Sequence, residues 1–470
     1  MIQTLKYQVL IIVLSLGTLV VGQTAATLNF NDFMKQVKKN HPLAMQAEIQ
    51  LEEGDAYLQK SRGMFDPKAY YEMSQKYFED KEYYHLNNSG LKIPTWFGVE
   101  LEGGYQLNDG LFLNPQNSLP NAGLWHAGAS INLGKGLFID ERRAELKKAK
   151  LFLKSSEAER QNLCNELLYN AGKAYWDWFT AFHTMKTYEE ALRLAIERLE
   201  AVKQNALFGD VPAIDTVEAG IQVQNRQVSY EQSILSYKNS SAYLAVFLWD
   251  KGIVPLELDE NLQPEILENM QPLTVANEVL LQLDSVAFTH PELVQYNVKL
   301  QQLELETRLK KEMLKPMLNL KYNALAEPVG NDVFSNYNSN NYNWGVAFSM
   351  PLFLRKERGE LNLAQLKLQE TTLDIAIKRA GVNFKAQAAI NELATTFNQT
   401  NIYLRTVKDY ELLLNGEKQK FAAGESSLFM VNARETGFIS TQLKLIELMA
   451  KNQKAQLAVD FAIGQLYQKF

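Results

Sequence analysis

The 470-residue sequence predicts an α+β membrane protein built from a duplicated unit: a helix, strands, a very long helix, a sharp break and a further helix. Three observations lead there. Similar segments recur at fixed separations along the chain. One helix carries an apolar repeat of 3.5 residues over eleven successive positions. The runs between helices alternate apolar and polar with the period of a strand whose two faces meet different surroundings.

The chain opens with MIQTLKYQVLIIVLSLGTLVVGQ, in which Lys6 precedes an apolar run from Val9 to Val21. That run is too short to span a bilayer comfortably, and cleavage after Gly22 makes residues 1–22 an expected signal peptide. The only cysteine is Cys164, so an internal disulfide is excluded. Its neighbours Leu163, Leu167 and Leu168 read it as a small apolar core side chain. A formal net charge of −6 and the lack of a long Lys/Arg run argue against a nucleic-acid partner. Beyond the signal peptide no apolar run reaches transmembrane length, so any membrane entry is as a β-barrel.

The first repeat spans 23–249. Its opening helix, from NHPLAMQAEIQLEE, is apolar at Leu43, Ala47, Leu51 and Leu58. His41-Pro42 suits its start, because proline is tolerated in a helix's first turn. The echo is THPELVQYNVKLQQ, with His290-Pro291 lying 249 residues later, Leu300 matching Leu51 and Pro316 matching Pro67. Downstream, ERRAEL at 141–146 matches ERGEL at 357–361, and Gly209 matches Gly424 at a separation of 215. The first repeat therefore carries 34 additional residues between Pro67 and Glu141. They are either an external loop structure or an added hairpin. Residues 250–274, with Pro255, Pro264 and Pro272, read as a linker, and 275–470 as the second repeat.

Strands are expected within about 68–133 and 317–352. In YNWGVAFSM, Tyr342, Trp344, Val346, Phe348 and Met350 take one face and Asn343, Gly345, Ala347 and Ser349 the other. WFGVELEGGYQL at 96–107 alternates likewise. Aromatics make up 11 of the 56 residues 70–125, a density that suits interfacial girdles more than a soluble sandwich. The second repeat shows two strands and the first two or three. An even number that returns the chain to its starting side gives four per chain. Four cannot close an outer-membrane barrel, so several copies must share one.

The long helix is apolar or aromatic at Leu167, Ala171, Ala174, Trp178, Ala181, Met185, Tyr188, Leu192, Ala195, Leu199 and Val202. The positions 215 later fit at eight of eleven. A sustained 3.5 period means coiled-coil packing. A continuous helix from 141 would be about 100 Å long, deeper than an ordinary globular core. It must pack along other long helices.

The helices break at FGDVPAIDTVEAG, with a tip near 208–213, and at AAGESSLFMVNAR, with a tip near 422–427. Gly209 with Pro212, and Gly424 with Glu425, are the expected turns. No nucleotide fingerprint, nucleophile elbow or Cys/His metal cluster is present, so neither catalysis nor a cofactor is expected. Two other readings stand beside a passive conduit. One is a periplasmic coiled-coil scaffold. The other is an exported hydrolase using paired carboxylates, although its Glu residues follow helix faces.

Taken together, the signal peptide, duplication, paired strands, long heptad helices and a glycine at each break resemble the outer membrane efflux (TolC-like) family. That resemblance implies a homotrimer with a 12-stranded outer-membrane barrel, four strands from each chain, continued by an α-helical tunnel through the periplasm. It implies a channel-tunnel role in tripartite efflux or type I secretion. The partners it implies are a periplasmic adaptor, an inner-membrane RND or ABC transporter, and outer-membrane lipid. The breaks would then be the periplasmic entrance and the adaptor contact. Gate candidates are Asp210, Asp215, Glu218, Leu428, Phe429 and Met430. Trp96, Trp125, Tyr342 and Trp344 are the membrane-interface aromatics. The family archetype carries an arginine two residues after the second glycine and acids six and nine after it. Here Ser426, Met430 and Ala433 stand there, which points to closure by apolar side chains.

Overall fold

A computed structural model describes residues 27–259, 261–276, 289–328 and 337–470. The expected signal peptide lies outside the described residues. Two short helices open the chain, α1 (Phe30–Asn40) and α2 (Pro42–Arg62). Strands β1 (Lys68–Phe78), β2 (Lys81–Pro94), β3 (Val99–Asp109) and β4 (Leu124–Asn132) follow, then α3 (Glu141–Phe208) and α4 (Ala213–Ala245). After the linker come α5 (Pro291–Glu312), β5 (Met317–Ala326), β6 (Tyr342–Ser349), α6 (Arg355–Ala422), α7 (Leu428–Ala462) and the short α8 (Leu466–Lys469). Both His-Pro pairs start helices. The Nδ1 of His41 accepts from Leu43 N–H at 3.1 Å and that of His290 from Glu292 N–H at 3.2 Å, so each imidazole is an N-cap.

The strands form one antiparallel sheet in the order β1-β2-β3-β4-β5-β6. This corrects the expectation of four wall strands per chain: among the described residues this sheet has six. The additional residues of the first repeat fold as strand, not as external loop. The sequence hid this because β2, KEYYHLNNSGLKIP, places His85, Asn87 and Ser89 on the same face as Leu91 and Ile93. Half of that face is polar, and the period of two disappears. A two-residue turn at Glu79 and Asp80, both left-handed (φ 51 and 55), joins β1 to β2, the conformation of a tight primed hairpin.

Register gives the sheet two chemically distinct faces. One rung joins Trp344, Tyr322, Ala129, Leu101 and Ile93, and the next joins Val346, Leu320, Ile131 and Val99. On the other face a rung joins Asn343, Asn323, Gly128, Glu102 and Lys92. This is the alternation of a barrel wall with an apolar exterior and a polar lumen.

Each of α3 and α6 has 68 residues, about 100 Å at 1.5 Å per residue. Towards the sheet α3 packs on α2 and α5; towards its far end it packs on α4 and α7. α6 packs on α5 and then α7. All eleven heptad positions of α3 are buried or half-buried. So are all eleven of α6, including the three polar ones, Thr396, Thr400 and Glu417. The threonines fit because their hydroxyls donate to backbone carbonyls one turn back, at 2.8 and 2.7 Å.

The largest core sits halfway along α3. Phe33, Met34, Tyr175, Trp176, Trp178, Phe179, Leu248, Met270, Met449 and Leu466 meet there. The linker and terminal segment are held to it by buried polar groups. Asn452, fully buried, accepts from Leu273 N–H at 2.6 Å and donates to Leu273 O at 2.9 Å. Asn165 accepts from Tyr467 N–H at 2.7 Å and donates to Gly464 O at 3.1 Å. Cys164 is a free thiol within the apolar interior, and burial pushes its pKa up.

Candidate functional site

The two helix breaks adopt one geometry. At the first, Gly209 has φ 82, its N–H donates to Ala206 O at 3.2 Å, and Asp210 N–H donates to Asn205 O at 2.9 Å. At the second, Gly424 has φ 76, its N–H donates to Phe421 O at 3.0 Å, and Glu425 N–H donates to Lys420 O at 2.9 Å. These are left-handed glycine caps that satisfy the last carbonyls of each long helix. No neighbour lies within 4 Å of a side chain built at either glycine, so positive φ is the sole constraint. Pro212 is exposed and caps α4; Glu425 is exposed.

Both breaks fall at the same end of the helical layer, where α3, α4, α6 and α7 meet. Val202, Ala219 and Leu428 form a small core there with Leu199, Val211 and Phe421. This places the gate candidates differently from one another. Leu428 is 2% exposed and packs within the tip of its own chain, so it lines no opening. Phe429 is 66% exposed and Met430 half-buried. Asp210 is exposed, and Asp215 sits half-buried in the first turn of α4, where the helix dipole favours a carboxylate. Glu218 accepts from the Asn432 side chain at 3.0 Å and so belongs to a clamp.

That clamp is the feature sequence reasoning missed. Arg198 on α3 donates to both carboxylate oxygens of Glu435 on α7, at 2.6 and 2.8 Å, and to Asn432 at 3.0 Å. Asn432 passes the bond on to Glu218 on α4. Glu435 is 5% exposed. One guanidinium thus ties three helices just inside the tips by a bidentate pair. The signal was present: Leu428, Val431, Glu435 and Ile439 form one buried stripe, and Glu435 is the only acid on it. Nearby, Ser426 donates to Glu417 at 2.5 Å while Arg434 pairs with the same carboxylate at 3.6 Å.

The aromatic candidates lie at both ends of the strands. Trp96, 75% exposed, occupies the β2–β3 turn on the helix side of the sheet, edge-on to Phe97 at 5.5 Å. Trp125 and Tyr342 begin β4 and β6 at the opposite end. Trp125 packs on Tyr105 at 5.0 Å, and Tyr342 stacks on Tyr322 at 5.9 Å. Trp344 is exposed on the apolar face. Among the described residues no group of three or more His, Cys, Asp or Glu is placed to hold a metal ion. Among them no helix is long and apolar enough to cross a membrane.

Residues 283–465 match the sequence profile of the outer membrane efflux protein family. No curated protein matches the chain by sequence. The fold is shared with solved outer-membrane channels. The Campylobacter jejuni CmeC channel aligns with 93% of this chain and 86% of its own, at TM-score 0.63 and 15% identity. VceC of Vibrio cholerae aligns with 93% and 96% at TM-score 0.62 and 14% identity. The open MtrE channel of Neisseria gonorrhoeae aligns with 93% and 89% at TM-score 0.65 and 13% identity. By the profile that its second repeat matches, the chain is similar to outer membrane efflux proteins, and over its described length it has the fold of solved outer-membrane channels.

Proposed function

We propose that three copies of this chain assemble into one conduit, their sheets closing a barrel in the outer membrane and their helices a tunnel through the periplasm. One observation carries the reading. The two outermost helices of the layer carry exposed apolar stripes at heptad spacing. On α4, Ile214, Ile221, Val228 and Leu235 recur every seven residues and are 50–70% exposed. On α6, Leu363, Leu366, Leu373, Ile377 and Phe384 follow heptad steps of three, seven, four and seven and are 61–74% exposed. Such stripes are coiled-coil seams without a partner. The two stripes lie at opposite ends of the layer: α6 of one copy would meet α4 of the next with its tip-side half, where Ile402 and Leu412 are exposed, and α2 of the next with its sheet-side half, where Leu43 and Ile49 are exposed, which covers both stripes and closes a ring.

The resemblance to the outer membrane efflux protein family implies a periplasmic adaptor and an inner-membrane pump as partners. The exposed tips around Gly209, Pro212, Gly424 and Glu425 are the surface for the adaptor, and an RND or ABC transporter supplies the energy. Trp96, Trp125, Tyr342 and Trp344 seat the barrel at the two lipid interfaces. Asp210, Asp215 and Glu218 from every copy make the entrance acidic, which favours cations.

Planar-bilayer recording tests the reading. Purified protein is expected to insert in steps of conductance that prefer cations, with the preference weakened by Asp215→Asn. A protein that partitions to the soluble periplasm and gives no steps would contradict it, in favour of a scaffold.

A further inference from the structure

The extra hairpin of the first repeat has a position that bears on the size of the conduit. We propose that β1 of one copy pairs with β6 of the next, so that three sheets of six strands close an 18-stranded barrel. This rests on the trimeric reading above.

In one chain, the free edges of the sheet are β1 and β6. The edge of β3 is occupied along its length by β2, from His85 opposite Asp109 to Pro94 opposite Glu100. A barrel of twelve strands would have to join β6 to β3 and so strip β2 away. Directions also agree: β1 leaves the helices and β6 returns to them, so the new pair is antiparallel and the total even. Both faces continue onto the hairpin. Leu91 and Ile93 on β2, with Tyr71 and Met73 on β1, extend the apolar exterior and are 38–67% exposed.

On the polar face the hairpin is fastened to the rest. The Tyr70 hydroxyl donates to Glu102 on β3 at 3.0 Å and lies 3.4 Å from Nε2 of His126 on β4. It reaches them across Gly90 and Gly104. A Cβ at Gly90 would lie 2.8 Å from the Tyr70 hydroxyl, and one at Gly104 would lie 2.7 Å from His126 Cε1. Glu102 also takes Lys321 of β5 at 2.6 Å. One carboxylate therefore joins side chains of β1, β3 and β5. Barrel diameter grows about linearly with strand number, so this lumen is about one and a half times as wide as a 12-stranded one. The barrel would pass bulky solutes freely, leaving size selection to the tips.

Cysteine scanning in a Cys164→Ala background tests this, on outer-membrane trimers. Tyr71→Cys and Met73→Cys are expected to lose labelling by a water-soluble maleimide, while Glu72→Cys and Ser74→Cys keep it. Equal labelling of all four would mark β1 as an external flap and overturn the inference. A second readout is seam cross-linking. Met73→Cys combined in turn with Tyr342→Cys, Val346→Cys and Phe348→Cys is expected to give covalent trimers for at least one pair. Cross-links from Leu101→Cys on β3 to these β6 positions instead would restore the narrower barrel and leave the trimer standing. A monomeric native mass would sink both readings.

Discussion

Removing Arg198 should loosen the tips far more than removing its partner Glu435. The Arg198 side chain is 16% exposed and the Glu435 side chain 6%. In Arg198→Leu, the buried carboxylate keeps its charge, loses both guanidinium bonds and cannot reach water. Breaking a buried pair in this way costs about 3–5 kcal/mol. At 1.36 kcal/mol per factor of ten, that raises local opening between α3 and α7 by about 10²- to 10⁴-fold. In Glu435→Leu, the guanidinium stays more accessible and can extend towards solvent, so the cost falls below that range. Arg198→Met combined with Glu435→Leu removes both charges and should recover most of the loss, because no uncompensated buried charge is left and the cost of desolvating the pair is gone. Hydrogen exchange of amides in 195–202 and 431–439 reads all three variants. If Arg198→Leu exchanges like the parent, or if the double variant is as open as the worse single one, the clamp does not hold the tips.

Other outcomes follow from the same geometry. His41 and His290 cap helices as neutral imidazoles, and burial lowers both pKa values from 6.5. The unfolded chain then binds more protons between the lowered folded value and 6.5, so stability is complete above about 6.5 and falls as pH drops through that window. A His41→Asn, His290→Asn variant keeps acceptors at both caps and should flatten that part of a melting-temperature profile; an unchanged slope would exclude the imidazoles as its source. At the β1–β2 turn, Asp80→Gly relieves a left-handed non-glycine residue and should stabilise the hairpin by about 1 kcal/mol, seen as a higher temperature for loss of the barrel's compact gel mobility. A lower temperature would refute the turn geometry. At the mouth, Leu428→Ala should cost about 2–5 kcal/mol in tip stability, while Phe429→Ala should leave stability and alter closed-state conductance. The reverse pattern would return Leu428 to the gate.

What the sequence revealed and what it concealed divide by range. The helices were legible because burial on a coiled seam repeats every 3.5 residues over tens of residues. Even polar Thr396 and Thr400 keep that phase, since their hydroxyls are satisfied within their own helix. The left-handed caps were legible because Gly209 and Gly424 punctuate strong patterns. Strand β2 was not, because it mixes Asn87 and Ser89 with Leu91 and Ile93 on one face. Nothing local marks it as wall; its place is set by pairing with β1 and β3. The clamp was equally hidden, as Arg198 and Glu435 lie 237 residues apart. Separating Leu428 from Phe429 likewise required knowing which side of α7 meets Val202 and Ala219.

The claim that the exposed stripes on α4 and α6 are the seams of a trimer is tested most directly by native mass of the detergent-extracted protein beside a Val228→Asp, Ile377→Asp variant. The account predicts three chains in the parent and single folded chains in the variant, because each seam would then bury unpaired carboxylates. A parent that is monomeric, or a variant that stays trimeric, would contradict it.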